Sequence, residues 1–161
     1  MPTANEAIAF ALTTTQVMLR RLMADMGPAD YLHRPTPQAN CAAWIIGHLT
    51  LSERAALKAL GGPLPELPEG FEKRFSRDEG CPQAADFGDT SRLVDLFDEH
   101  RNRLVAAVRA ATPQQLDQRL EKPRPLFATV GEMAQFIALH GAMHAGQISM
   151  IRRTLGRPPL F

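Results

Sequence analysis

The apolar residues of this chain recur with helical period in four long runs, and glycine or proline closes each run. The first run opens at Thr3-Ala4-Asn5-Glu6, a capping-box pattern in which hydroxyl and carboxylate each take an orphan backbone N–H. Ile8, Leu12, Thr15, Leu19, Leu22 and Met26 then alternate spacings of three and four, until Gly27-Pro28. A Pro-broken stretch to Gln38 follows, and Asn40 is the expected N-cap of a second helix from about Cys41 to Leu60. A third helix is expected from Asp89-Thr90 to about Ala111, with Leu93, Phe97, Leu104 and Val108 inward. Thr112-Pro113-Gln114-Gln115 reads as a capping box for a short helix, and Lys122 to Ala128 as a loop with two prolines. Thr129-Val130-Gly131-Glu132 is another capping box, opening a fourth long helix that ends near Leu155.

The expected fold is therefore all-α, a four-helix bundle formed by one domain over residues 1–161. Composition agrees: 45% of residues are apolar but only 6% aromatic, a mix that favours helix packed on helix over a sandwich or barrel. The segment from Gly61 to Asp89 is too long for a tight turn and needs a geometric reason. If the second and third helices run parallel, the chain must return the length of the bundle, roughly 30 Å for a 20-residue helix. This long crossover would be pinned to the bundle by Phe71, Phe75 and Phe87.

Charge and targeting signals narrow the function classes. Eighteen Lys and Arg against 17 Asp and Glu leave no positive surplus for phosphates, so nucleic acid is not an expected partner. No stretch approaches the ~18 continuous apolar residues of a membrane span, and the first residues lack the order of a signal peptide. Cys41 and Cys81 form no CxxC and are expected to be free thiols, which suits the cytoplasm.

The chemistry lies in histidines placed where the helical pattern calls for Leu or Ile. On the fourth helix the inward stripe runs Val130, Met133, Ile137, His140 or Gly141, His144, Ile148, Ile151 and Leu155. Spacing of i, i+4 stacks His140 and His144 on one face, close enough for both imidazoles to reach one ion. The spacing alone is a weak zinc signal, but two unpaired imidazoles in a core would cost several kcal/mol. Small Gly141, Ala145 and Gly146 around them are expected to leave room for an ion and a substrate. On the second helix His48 follows Asn40 and Trp44 at steps of four and can point inward as a third ligand, with Gly47 permitting close helix approach. His100 also falls on an inward stripe, as an outer partner or a buried side chain rather than a ligand, while His33 in the Pro-rich loop is expected to face solvent. The zincin HExxH pattern is excluded, because Gly141 stands where its glutamate must be.

The segments Asn40-Cys41-Ala42-Ala43-Trp44-Ile45-Ile46-Gly47-His48-Leu49 and His140-Gly141-Ala142-Met143-His144-Ala145-Gly146-Gln147-Ile148 together resemble the DinB/YfiT-like superfamily. That resemblance covers nearly the whole chain in helix order and length. It implies an up-down-down-up bundle, a homodimer, and metal ligands at His48, His140 and His144. It also implies a class that includes thiol-dependent transferases and a thiol-dependent isomerase.

Three neutral imidazoles leave a divalent ion its full charge and an open position, which suits activation of water or of a thiol. Zn or Ni is the first expectation for the ion, with Fe or Co also compatible with imidazole. Hydrolysis needs a general base, and Glu53 lies about 140° around the helix from His48, which points it towards a surface charge pair. The expected activity is therefore delivery of a low-molecular-weight thiol to an electrophilic small-molecule substrate near Trp44. A metal-dependent hydrolase and a non-catalytic small-molecule-binding bundle are the alternatives. Gln147, one turn after His144, is placed either to orient a ligand imidazole or to bridge helices.

Overall fold

The computed structural model describes residues 3–79 and 81–160. Four long helices carry it: α1 (Ala4–Met23), α3 (Ala42–Ala59), α5 (Leu93–Ala110) and α7 (Val130–Thr154). Short helices α2 (Pro28–Leu32), α4 (Phe71–Arg74) and α6 (Pro113–Asp117), one 3-10 turn (Ala84–Asp86) and strands β1 (Arg119–Arg124) and β2 (Phe127–Thr129) complete the order.

The directions of the helices follow from which residues share a core. At one end Leu19, Leu22 and Met23 of α1 meet Ala42 to Ile46 and Leu49 of α3, Leu93 and Phe97 of α5, and Ile148 and Ile151 of α7. At the other end Ala9 and Leu12 meet Ala56 and Leu57, Leu104 and Val108, and Ala134 and Ile137. The chain thus enters the first end at the C-termini of α1 and α7 and at the N-termini of α3 and α5. The order is up-down-down-up, with α3 and α5 parallel, and the segment between them spans the bundle's length. Phe71, Phe75 and Phe87 do more than pin that crossover to a surface. All three are buried within the first core cluster, with Phe75 4.5 Å from Phe71 and 5.9 Å from Phe87 between ring centroids.

Capping explains most of the boundaries. Thr129 Oγ1 accepts from Glu132 N–H at 3.2 Å while Glu132 returns a carboxylate oxygen to Thr129 N–H at 3.1 Å. Thr112 and Gln115 repeat the box on α6. At Thr3 the hydroxyl accepts from Glu6 N–H. The second long helix starts differently from expectation: Cys41, not Asn40, is the N-cap of α3, and its side chain makes no capping bond. Two regions expected to be irregular are ordered. Pro at the first position of α2 lets a single helical turn form after Gly27, closed by the Asp30 carboxylate on Gly27 N–H at 2.9 Å. Residues expected to form a loop make an antiparallel hairpin, β1 with β2, that leads straight into α7 through Val130 N–H to the Gln118 carbonyl.

Gly47 is required by this packing, though the close neighbour is the crossover rather than a helix. A Cβ built there would sit 2.2 Å from Cδ1 of Phe75, a buried ring. Gly47→Ala should therefore cost about 1–3 kcal/mol by overpacking. Chemical denaturation checks this, and the further change Phe75→Ala should remove the clash; an unchanged midpoint for Gly47→Ala would refute it.

Candidate metal centre

The fourth long helix presents His140 and His144 one turn apart, with ring centroids 4.6 Å apart and planes at 74°. His48 comes from α3, its centroid 5.2 Å from that of His140 and 5.5 Å from that of His144. One ring nitrogen from each of the three lies within 4.8 Å of the others. Nitrogens sharing one tetrahedral ion with bonds of about 2.1 Å lie about 3.4 Å apart, so the cluster has the scale of a single site. Among the described residues no carboxylate or thiol joins it.

Each ring is held from outside. Trp44, one turn before His48, stacks on its imidazole at 4.7 Å with planes 5° apart. Nδ1 of His48 faces the Phe75 carbonyl at 3.4 Å. Phe136, one turn before His140, stacks on that ring at 5.7 Å and 14°. His144 Nδ1–H donates to Gln147 Oε1 at 3.0 Å, which leaves the lone pair of His144 on Nε2. That lone pair points at Nε2 of His140, only 3.0 Å away. Two imidazole nitrogens at this distance need a proton or a cation between them. The donor set therefore fits a divalent ion at the two Nε2 atoms, while Nδ1 of His140, the other nitrogen of that ring, is buried without a partner.

Burial is the first cause that lowers the pKa of all three histidines. For His140 the neighbouring His144, His48 and Arg101 add to it and bring the value from 6.5 to about 4. For His48 the Phe75 carbonyl opposes the shift, and for His144 Gln147 does. The rings are thus neutral at physiological pH and ready to donate lone pairs. Because the folded state binds fewer protons than the unfolded state below 6.5, its stability should rise with pH across that window. The metal-free chain should lose thermal stability as pH falls from 6.5 towards about 4, and His140→Phe should lose less. Equal acid sensitivity of the two proteins would refute this.

Other expected positions resolve differently. Glu53 is fully buried rather than at the surface, and both its carboxylate oxygens are held by Arg101, with Nε to Oε2 at 2.8 Å. His100 is buried outside the cluster, its Nδ1–H donating to the Leu96 carbonyl at 2.7 Å and its Nε2 left without a partner. His33 is half-buried, with Nε2 3.0 Å from Thr154 Oγ1. Gly141 does not open a cavity: a Cβ there would lie 3.4 Å from Nη2 of Arg101 and 3.5 Å from Thr15. Ala145 packs in the core and Gly146 faces open space. Two residues about the site escaped the sequence reading. Phe136 could have been found, since it lies four residues before His140. Arg101 carried no such signal, because a charged residue on an amphipathic helix is normally solvated.

A helical bundle with this histidine cluster defines a class of candidate metal-binding folds. A model of the DinB superfamily matches residues 11–148, so the chain belongs to that superfamily. No curated protein matches the sequence. Among solved structures, a conserved protein from Enterococcus faecalis is similar at 15% identity with a TM-score of 0.77, over 98% of this chain and 100% of the other. YfiT from Bacillus subtilis, described as a probable metal-dependent hydrolase with an unusual four-helix bundle topology, is similar at 15% identity and a TM-score of 0.69. That match covers 96% of this chain and 89% of YfiT. At such identities the likeness speaks to the fold.

Proposed function

We propose that His48, His140 and His144 hold one divalent metal ion, Zn or Ni first, and that the chain is an enzyme that activates a small thiol for transfer to an electrophile. The observation that carries this reading is the company the three imidazoles keep. They converge without a carboxylate, and Glu53, the acidic residue after His48 on the same helix, has both oxygens engaged by Arg101. General-base hydrolysis finds no carboxylate within the cluster itself, whereas thiol activation needs no base from the protein. A divalent ion held there lowers the pKa of an arriving thiol and so supplies a nucleophile at neutral pH. The protein's part is to keep three rings neutral by burial, to fix His48 against Trp44, and to fix His144 through Gln147.

A cobalt-substituted sample tests the activity. Adding glutathione, mycothiol, bacillithiol or cysteine should produce a sulfur-to-metal charge-transfer band with release of a proton. If all four leave the spectrum unchanged, the thiol reading fails. A metal-dependent hydrolase then takes its place, the reading favoured by the description of YfiT. Metal analysis of untagged protein should find about one ion per chain, the result that supports a single three-histidine site.

The same reading includes a homodimer and a cytoplasmic setting. Phe10 and Val17 on α1 and Leu139, Met143 and Met150 on α7 stay exposed on two helices that pack together, apolar surface that a second copy would cover. Sedimentation equilibrium decides the dimer. No helix among the described residues is long and apolar enough to cross a membrane, and both cysteines are free thiols.

A further inference from the structure

The fold brings together two cysteines that are far apart in sequence. Cys41 caps the N-terminus of α3 and is completely buried. Cys81 lies on the crossover and is half-buried, with its Sγ 3.8 Å from that of Cys41. Arg34 holds the Cys81 segment in place, donating through Nη2 to the Cys81 carbonyl at 3.0 Å and also to the Pro82 carbonyl. The two sulfurs need to close by less than 2 Å to reach the bonded distance of about 2.05 Å, and one of them sits on a connecting segment rather than a helix.

We propose that Cys41 and Cys81 form a redox-active dithiol that reacts with hydroperoxides and closes to an intramolecular disulfide, tying the crossover to the helix that carries Trp44 and His48. The two thiols have different roles because their surroundings differ. A charge on Cys81 costs less, since it is the more exposed sulfur and stands near the Arg34 guanidinium. The hydrogen bond between the two thiols lowers the Cys81 pKa and raises that of Cys41, which burial and the Cys81 charge raise further. Cys81 is the attacking thiolate and Cys41 the resolving thiol. The Cys81 sulfur attacks the distal oxygen of the hydroperoxide; an S–O bond forms, the O–O bond breaks, and the departing alkoxide takes a proton to leave as alcohol. Cys41 then gives up its proton and attacks the Cys81 sulfur; the S–S bond forms, the S–O bond breaks, and water leaves. Two thiols lose two electrons and the hydroperoxide gains them.

Closure would restrain the crossover at a point that matters for the histidine site. The crossover also supplies Phe75, whose ring packs on Gly47 and whose carbonyl faces His48. Lys73 and Arg77 beside it are exposed. Tryptic cleavage there, which depends on local opening, should slow several-fold once the disulfide has formed.

The test treats reduced, zinc-loaded full-length protein with hydrogen peroxide. Both thiols should disappear, the intact mass should fall by two hydrogen atoms, and a non-reducing peptide map should link Cys41 to Cys81. Cys41→Ser should keep the helix start, because serine is a favoured N-cap, and should trap a sulfenic acid on Cys81 that a dimedone probe labels. Cys81→Ser should leave Cys41 unreacted at the same dose. Arg34→Gln should slow closure several-fold. The proposal is overturned if both thiols survive in folded wild-type protein, if the disulfide joins two chains, or if Cys81 is driven to sulfinic acid without Cys41 joining it.

Discussion

Arg101→Met should cost about 3–5 kcal/mol of folding stability in a urea titration, the usual effect of stranding one member of a buried ion pair. Arg101 is completely buried, and each of its three guanidinium nitrogens donates to a named partner. Its Nε and Nη2 hold the two oxygens of Glu53, and Nη1 donates to the Leu12 carbonyl and to Thr15 Oγ1 at 2.8 Å. The guanidinium thus ties α5 to both α3 and α1 at mid-bundle, between the two apolar clusters. Burial pushes the Glu53 pKa up and Arg101 pulls it back. Without Arg101 the folded state would hold the Glu53 proton more tightly than the unfolded state does. Stability of the variant should then fall as pH rises through the raised value, so its deficit should be smaller at acid pH. Replacing both residues, as Glu53→Leu with Arg101→Met, should recover most of the loss, because an apolar pair carries no desolvation cost. A single-variant cost under about 1 kcal/mol would show that the pair does not hold the bundle.

The contrast between that pair and the histidines explains what was legible in the sequence. The four helices were readable because each has an apolar stripe and a stop signal, and both Thr112 and Thr129 cap where their pattern requires. The parallel run of α3 and α5 was readable from the length of the crossover alone. The hairpin was not. Arg119-Leu120-Glu121-Lys122-Pro123-Arg124 has no alternation of apolar residues, and its exposed strand is held by backbone pairing at the mouth of α7. His140 and His144 stood out because an imidazole on an apolar stripe contradicts its surroundings. Arg101 and Glu53 each look like a solvated charge on their own helix. They become a core feature only when residues 48 positions apart face each other, and a single sequence carries no record of that pairing. Asn40 is the better N-cap by type, yet Cys41 takes the position and its thiol faces Cys81 instead.

If the proposed site is right, loss of one of its three imidazoles should have the largest effect on metal binding. His140→Ala and His144→Ala should each weaken divalent-ion affinity by more than the 10–100-fold typical of an outer partner, measured by competition with a chromogenic chelator. His48→Ala should weaken it less than either, because the pair on α7 remains with its nitrogens 3.0 Å apart. Gln147→Leu provides the graded case. The Gln147 oxygen fixes which nitrogen of His144 carries the proton, so its loss lets the ring place a proton on the donor atom part of the time. About 10–100-fold weaker binding is expected there, with the ligand set intact. Helical content should survive all four changes, since Ile137, Ala138, Ala145, Ile148 and Ile151 keep the buried face of α7. Gln147 is itself exposed, so a loss of affinity in Gln147→Leu cannot be charged to core packing. Wild-type affinity in that variant would mean that His144 is oriented by the helix alone. Wild-type affinity in His48→Ala would mean that the ion sits on α7 and that α3 contributes only the wall formed by Trp44.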